Sequence, residues 1–166
     1  MQSTPTVYMI RHGEKPRGGA PNLSAQGEAR AQRLRKVFGK EGGFNIGYII
    51  AEHPRKDGSR ARSYETVQPL ANDLKDLGVE FNTDIKKHDA VGVARAVKEY
   101  HGTGNVLICW EHHNLSDIAE AIGIKEFAKT SGWSGKLEYP DSRFDLIWVA
   151  PTPYNEITEV LSEDNL

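Results

Sequence analysis

An arginine, a histidine and a glycine stand directly after an apolar run near the start of the chain. Arg11, His12 and Gly13 follow the segment 7–10, Val-Tyr-Met-Ile, which has the composition of a buried strand in a parallel sheet. Ligands of open α/β sheets bind at the carboxyl ends of the strands, so these residues would lie at a ligand site. Arginine offers forked donors that match a phosphate, and glycine lets the backbone approach a ligand closely. The imidazole of His12 is then the candidate reactive group.

A neutral imidazole can act as a nucleophile toward phosphorus. Its ordinary pKa of about 6.5 leaves a large fraction of His12 neutral near pH 7, with one ring nitrogen free to attack. The attack would form a phosphohistidine and divide one difficult displacement into two easier steps. We therefore predict that His12 is the nucleophile of a phosphoryl transfer. The alternative is a buried core histidine without a catalytic role.

A second group of ionisable residues follows a later apolar run. Glu111, His112 and His113 come after the segment 106–110, Val-Leu-Ile-Cys-Trp. Because the carboxyl ends of parallel strands meet at one edge of a sheet, we expect His112 near the first histidine. A protonated imidazole donates from both nitrogens, which suits an anion. The Glu111 carboxylate would raise the pKa of nearby imidazoles and oppose a dianion unless it points away.

The same residue types could instead hold a zinc ion. His12, Glu111, His112 and His113 all belong to types that bind zinc. Adjacent residues of a strand point to opposite faces, which makes it awkward for both neighbouring histidines to reach one ion. We therefore predict no metal and no cofactor.

Contacts to a phosphorylated substrate are predicted for Gly13, Glu14 and His113.

Alternating strand and helix patterns must position these residues. Apolar runs predict strands at about 5–11, 46–51, 79–81, 105–110 and 144–149, the last of which could be an edge strand because its apolar residues alternate. Apolar residues at helical spacing predict helices at 24–38, from about 62 to Gly78, at 89–100 and from about 115 to 122. This regular order predicts an α/β fold, a three-layer α/β/α sandwich with a mostly parallel central sheet.

Composition narrows the class of protein. A chain of 166 residues predicts one domain, covering 1–166. The net charge of −2 gives no reason to expect nucleic acid or an anionic membrane as a partner. No apolar run has the length of a membrane span, and the N-terminus has no signal-peptide pattern. The single cysteine, Cys109, cannot form an internal disulfide, so we expect a cytoplasmic protein.

Two further segments complete a pattern of four blocks. Residues 23–31 read Leu-Ser-x-x-Gly-x-x-x-Ala and open a helix with a serine cap, and residues 62–66 read Arg-x-x-x-Thr. With Arg-His-Gly before them and a histidine after a late strand, the chain resembles the histidine phosphatase superfamily, in its phosphoglycerate-mutase-like branch. The blocks span residues 7 to about 123.

The resemblance implies roles for particular residues. Arg11 and Arg62 would clamp the phosphate, where fixed cations stabilise charge on the transferred group. His112 would be the second histidine of the pocket, since the family often reads Gly-His-Ser-Asn where this chain has residues 111–114. The loop before Arg62 is longer than in the family, so Arg55 and Arg60 are alternatives for the second clamp.

The proton donor for the leaving group stays open. The family often takes it from a glutamate after the helix of Arg62, but the segment 82–89 contains none. Asp89 is one candidate, although a helix N-cap is an equally good interpretation, and Glu111 is another. Further candidates are Asp84, His88 and Glu14. An acid contributes about 10²–10⁴-fold, so a chain without one would favour easily expelled leaving groups.

The predicted function is a metal-independent phosphatase that hydrolyses a small phosphomonoester through phospho-His12. One alternative is a phosphoglycerate-mutase-type phosphotransferase, although such mutases tend to be longer and to carry segments that enclose the substrate. The other is a non-catalytic protein that binds a phosphorylated ligand and keeps the fold. This chain has Glu111 where the family has a glycine, and it lacks the acid that the family uses. Both features favour the non-catalytic alternative.

Overall fold

The computed structural model describes residues 4–166 and contains a central sheet with helices on both of its faces. Its eight strands are β1 (Val7–Arg11), β2 (Ile46–Ala51), β3 (Glu80–Asn82), β4 (Asn105–Trp110), β5 (Glu126–Phe127), β6 (Leu146–Ala150), β7 (Glu156–Ile157) and β8 (Glu159–Ser162). Its four α-helices are α1 (Ala25–Val37), α2 (Arg62–Leu74), α3 (Ala90–Glu99) and α4 (His112–Ile122). Short 3₁₀ turns cover Lys75–Leu77, Lys129–Ser131 and Glu163–Asn165.

The main sheet has six strands in the order β3-β2-β4-β1-β6-β8. The first four strands in this order are parallel to one another, whereas β6 is antiparallel to β1 and to β8. The predicted mostly parallel sheet is therefore confirmed. The prediction that the strand near residue 146 lies at an edge is wrong, because the C-terminal strand β8 covers it. All five residues of β6 are buried, as an interior strand requires.

Two apolar layers hold the helices against the sheet, and this confirms the three-layer sandwich. On one face, Leu34 and Phe38 of the α1 end and Val67 and Leu70 of α2 pack on strand residues such as Ile49. The opposite face packs α3 and α4 through Val93, Val97, Leu115 and Ile118. Because both faces are covered, the strand interiors are continuous apolar runs. Polar side chains can enter the sheet only at the strand ends.

A network of buried charges joins the first strand end to the C-terminus. Arg30 of α1 forms a bidentate pair with Glu14 at 2.9 and 2.7 Å and also contacts Glu163 at 3.1 Å and Asp164 at 3.2 Å. Glu163 is fully buried, and burial raises its pKa to about 8 although Arg30 opposes that shift. The guanidinium of Arg30 therefore contacts three carboxyl groups. These contacts connect the C-terminal turn to the loop after β1.

No helix within residues 4–166 is both long enough and apolar enough to cross a membrane. Cys109 lies buried in β4 as a free thiol, and burial raises its pKa. The thiol is therefore packed as an apolar side chain.

Candidate active site

Three neighbouring strands bring ionisable residues to one edge of the sheet. The strands lie in the order β2, β4, β1. Ala51 pairs with Cys109, and Cys109 pairs with Ile10, so the three strands end within one residue of the same level. His12 continues β1, and its backbone N–H donates to Trp110 at 3.2 Å. Glu111 follows β4, and Glu52 follows β2. This edge forms the candidate site.

His12 has one defined tautomer. Only 5% of the residue is exposed, and its Nδ1 lies 2.8 Å from the carbonyl oxygen of Gly13. A carbonyl oxygen can only accept a hydrogen bond, so Nδ1 carries the proton and donates it. The other ring nitrogen, Nε2, is left without a proton and keeps its lone pair. The bond to the backbone therefore leaves the lone pair of Nε2 free.

The surroundings keep this imidazole neutral. The pKa of His12 is lowered to about 4. Burial is the largest cause, and the positive charges of Arg11 and Arg62 act in the same direction, whereas the hydrogen bond to Gly13 opposes them. The positively charged form would be desolvated and would face two cations. At pH 7 the imidazole of His12 is therefore neutral.

We expect Nε2 of His12 to stay unprotonated down to about pH 4, since burial and two arginines disfavour the imidazolium. Two-bond ¹H–¹⁵N spectra of the folded protein, recorded from pH 8 to pH 4, measure this directly. The same protein in urea is the control, because unfolded imidazoles titrate near pH 6.5. Protonation of the folded His12 between pH 6 and 7 would contradict the expectation.

Arg11 joins the site to the loop before β6. It is 2% exposed, and its Nη1 donates to the carbonyl oxygens of Asp141 at 2.8 Å and Arg143 at 2.9 Å. The guanidinium also stacks on Phe144, with its central carbon 3.7 Å from the ring centroid. Its Nε is buried without a hydrogen-bond partner among the described residues. Arg11 thus orders this loop and still presents donors that an anion could use.

Arg62 and Thr66 explain the Arg-x-x-x-Thr block. The Thr66 hydroxyl accepts the backbone N–H of Gly13 at 2.8 Å and donates to the carbonyl of Arg62 at 2.6 Å. The Arg62 side chain reaches carbonyls of the loop after β1, on Ala20 and Asn22. Its positive charge lies near enough to lower the pKa of His12. The alternative Arg55 lies exposed in a turn, and no contact places Arg60 at the site.

Gly13 and Glu14 differ from the expectation that they contact substrate. The N–H of Gly13 is already bound by Thr66, and a Cβ on Gly13 would lie 3.0 Å from the carbonyl oxygen of Gly27. Gly13 is therefore required by close packing against α1. The carboxylate of Glu14 is held by Arg30, and its carbonyl accepts from Ser24, which also caps α1. Both residues position the loop.

His112 already holds an anionic group. Its Nε2 lies 2.5 Å from a carboxylate oxygen of Asp141, a residue that the sequence interpretation missed and whose side chain is 81% exposed. Burial lowers the pKa of His112, and the bond to Asp141 only partly opposes this. Glu111 raises the pKa of His112, as expected, but burial outweighs this effect. The Asp141 carboxylate therefore joins the buried His112 to the solvent-exposed surface.

His113 lies at the rim. Its side chain is 72% exposed, and its ring stacks on that of His112 with centroids 3.9 Å apart and planes inclined by 36°. Both histidines begin α4 and share a face, contrary to the expectation that they point to opposite sides. Ligand atoms of these histidines and Glu111 lie within 4.8 Å of one another. Nδ1 of both rings lies close to the same Glu111 oxygen, at 2.9 Å for His112 and 3.0 Å for His113, so this carboxylate occupies the point on which the two nitrogens converge.

Glu111 and Asp89 are occupied as helix caps. The Glu111 carboxylate accepts from the N–H groups of His113 and Asn114, and Asp89 accepts from Gly92 at the start of α3. Burial alone raises the pKa of Glu111, but the bond from His113 and the nearby imidazoles lower it overall. An ionised cap is a poor proton donor near pH 7, and Asp89 is exposed with its carboxylate turned to its own helix. Neither fits the predicted acid.

Glu52 is a buried carboxyl group that the sequence interpretation did not consider. It is 3% exposed, and its Oε1 accepts from the Ser63 hydroxyl and the Glu111 N–H, both at 3.0 Å. Burial raises the pKa of Glu52, which these two bonds only partly reverse. A signal was present in the sequence, because Glu52 directly follows an apolar strand, as His12 does.

Comparison with solved structures identifies the architecture. SixA from Agrobacterium tumefaciens, described as a "putative phosphohistidine phosphatase", matches with a TM-score of 0.60 and 14% sequence identity, over 95% of this chain and 97% of that chain. The open reading frame Rv3214 from Mycobacterium tuberculosis matches 69% of this chain and 78% of its own, with 15% identity and a TM-score of 0.42. No family model and no curated protein sequence matches the chain.

The chain therefore has the phosphoglycerate-mutase-like α/β fold that this SixA structure also has. The match to SixA runs over nearly the full length of both proteins. At 14% identity the likeness concerns the fold, so arguments about chemistry must come from the side chains of this chain.

Proposed function

We propose that the protein is a phosphatase that hydrolyses a small phosphomonoester through a phosphohistidine on His12. The observation that carries this proposal is the fixed tautomer of a buried imidazole whose pKa two nearby arginines lower. Nδ1 is held by a backbone carbonyl, so Nε2 alone is free to attack. A core histidine without a chemical role would not need a free lone pair in such a field.

In the first step, the Nε2 lone pair forms a bond to phosphorus while the bond to the leaving oxygen breaks. Arg11 and Arg62 balance the charge on the phosphoryl oxygens, and His112 provides a further contact. In the second step, water attacks phosphorus and the P–N bond breaks, which releases inorganic phosphate and returns neutral His12. Nδ1 keeps its proton throughout.

The contact between His112 and Asp141 supports the anion site. The carboxylate oxygen of Asp141 lies 2.5 Å from Nε2 of His112, which supports a place for negatively charged oxygen at this position. A phosphate oxygen has the same preference for N–H donors. Binding of substrate would therefore replace the Asp141 carboxylate at His112.

A chromogenic aryl phosphate tests the function. We expect rapid release of one equivalent of phenolate, then steady turnover, with an acid-labile phosphoryl group on His12 found by mass spectrometry of alkaline digests. Label that persists without turnover until a second acceptor is added would indicate the phosphotransferase alternative. Phosphate binding with neither label nor turnover would indicate a binding protein and would overturn the proposal.

A further inference from the structure

Glu52 lies at the same edge of the sheet as the nucleophile, on the far side of β4. Ala51, Cys109 and Ile10 are in register across the three strands. Two strand spacings separate the ends of β2 and β1 by about 10 Å. An anion held over the end of β4 would thus have His12 on one side and Glu52 on the other. In-line displacement requires the nucleophile and the leaving oxygen on opposite sides of phosphorus.

The bonding of Glu52 separates it from the other buried carboxyl groups. Glu14 and Glu163 are paired with Arg30, and Asp145 is paired with Arg143. Glu52 instead receives a hydroxyl and a backbone amide, which are uncharged donors. A buried carboxyl without a bound cation favours its neutral form. Burial also raises the pKa of Glu163 in spite of Arg30, so Glu52 differs from that residue in its uncharged partners and in its place at the strand ends.

The two hydrogen bonds also decide which oxygen can carry a proton. Both end on Oε1, from the Ser63 hydroxyl and from the Glu111 N–H. Oε2 is therefore the oxygen that holds the proton in the neutral acid. Ser63 lies in the first turn of α2, and Glu111 is the N-cap of α4. The carboxyl group of Glu52 is therefore held between two helices that carry residues of the site.

From this placement we propose that Glu52 is the general acid that protonates the leaving oxygen and then the base that activates water. This inference rests on the proposed function. In the first step, as the P–O bond breaks, the proton on Oε2 moves to the leaving oxygen, so the product is a neutral alcohol and Glu52 becomes a carboxylate. In the second step, Glu52 takes a proton from the attacking water, and the P–N bond breaks. The proton count closes over one turnover.

Glu52→Gln tests the assignment, because it keeps an acceptor at this position and removes the transferable proton. For an alkyl phosphate we expect kcat/KM to fall by about 10²–10⁴-fold. For 4-nitrophenyl phosphate, whose leaving group departs as a stable anion, the loss should stay within about tenfold. Ser63→Ala is the matched control. It removes one hydrogen bond to Glu52 but leaves the transferable proton, so the alkyl phosphate should lose far less activity than it does in Glu52→Gln.

An equal loss for both substrates in Glu52→Gln would overturn the assignment and leave the phosphatase proposal standing. A wild-type protein that hydrolyses neither substrate and takes up no label would overturn both proposals.

The wild-type pH profile provides a second measurement if Glu52→Gln does not fold. Loss of the proton at high pH should lower kcat/KM for the alkyl phosphate while the aryl phosphate rate persists. The charged groups whose fields act on Glu52 are Lys87, Glu111 and Arg62. Arg62 keeps its charge between pH 6 and 9, and Glu111 is already ionised there. Identical basic limbs for the two substrates would overturn the assignment.

Discussion

Replacement of His12 by alanine is expected to lower kcat/KM for an aryl phosphate by at least about 10⁴-fold, the scale of loss when a covalent nucleophile is removed. Nε2 of His12 is the group that forms the bond to phosphorus in the proposed route. The arginines and His112 would remain, so the variant should still bind inorganic phosphate. Steady-state rates measure the first effect, and calorimetric titration with phosphate measures the second.

The matched control is His101→Ala. His101 is an exposed histidine beyond the end of α3, at the opposite edge of the sheet from the site. The His101→Ala variant should retain both turnover and the phosphoryl label on His12. If His12→Ala still hydrolysed the substrate at a rate near wild type in a preparation free of host phosphatases, the covalent mechanism would be wrong.

Arg30→Ala is expected to lower the free energy of unfolding by about 3–5 kcal/mol. The side chain of Arg30 is 8% exposed and holds two buried carboxyl groups, those of Glu14 and Glu163. Its removal would leave these groups without a compensating cation in the interior. Urea denaturation followed by circular dichroism measures the change, and the midpoint should fall without a large change in slope.

Arg33→Ala provides the comparison one turn further along α1. The Arg33 side chain is 47% exposed and contacts Asp164 at the surface. Surface ion pairs contribute about 0–1 kcal/mol, so this variant should remain close to wild type. Equal destabilisation by the two substitutions would show that the Arg30 network does not hold the C-terminal turn.

The fold could be predicted because its strands are buried on both faces. Residues 46–51 and 105–110 are apolar almost throughout, and both strands have the predicted bounds. Ser24 and Asp89 cap helices where their side-chain chemistry predicts it. The strand β8 was missed because it is short and half exposed, so it lacks an apolar pattern. Without β8, the strand before it looked like an edge.

The candidate site could be predicted only in part. Residues that directly follow a strand have positions set by the sheet, and this placed His12 and His112 at one edge. Asp141 lies in an irregular loop, and its place depends on a carbonyl bond to Arg11 that no local pattern records. The carboxylates of Glu14 and Glu111 were assigned to substrate chemistry because their partners, Arg30 and a helix start, depend on the tertiary fold.

The bond from the first imidazole to the main chain has an evolutionary consequence. A backbone carbonyl is present whatever residue occupies position 13, so mutation of side chains cannot delete the acceptor that orients the ring. In the proposed reaction the phosphoryl group would therefore always join Nε2, because the course of the backbone orients the ring. Substitutions in the surrounding residues would alter how fast the group is loaded or released, but not which nitrogen carries it.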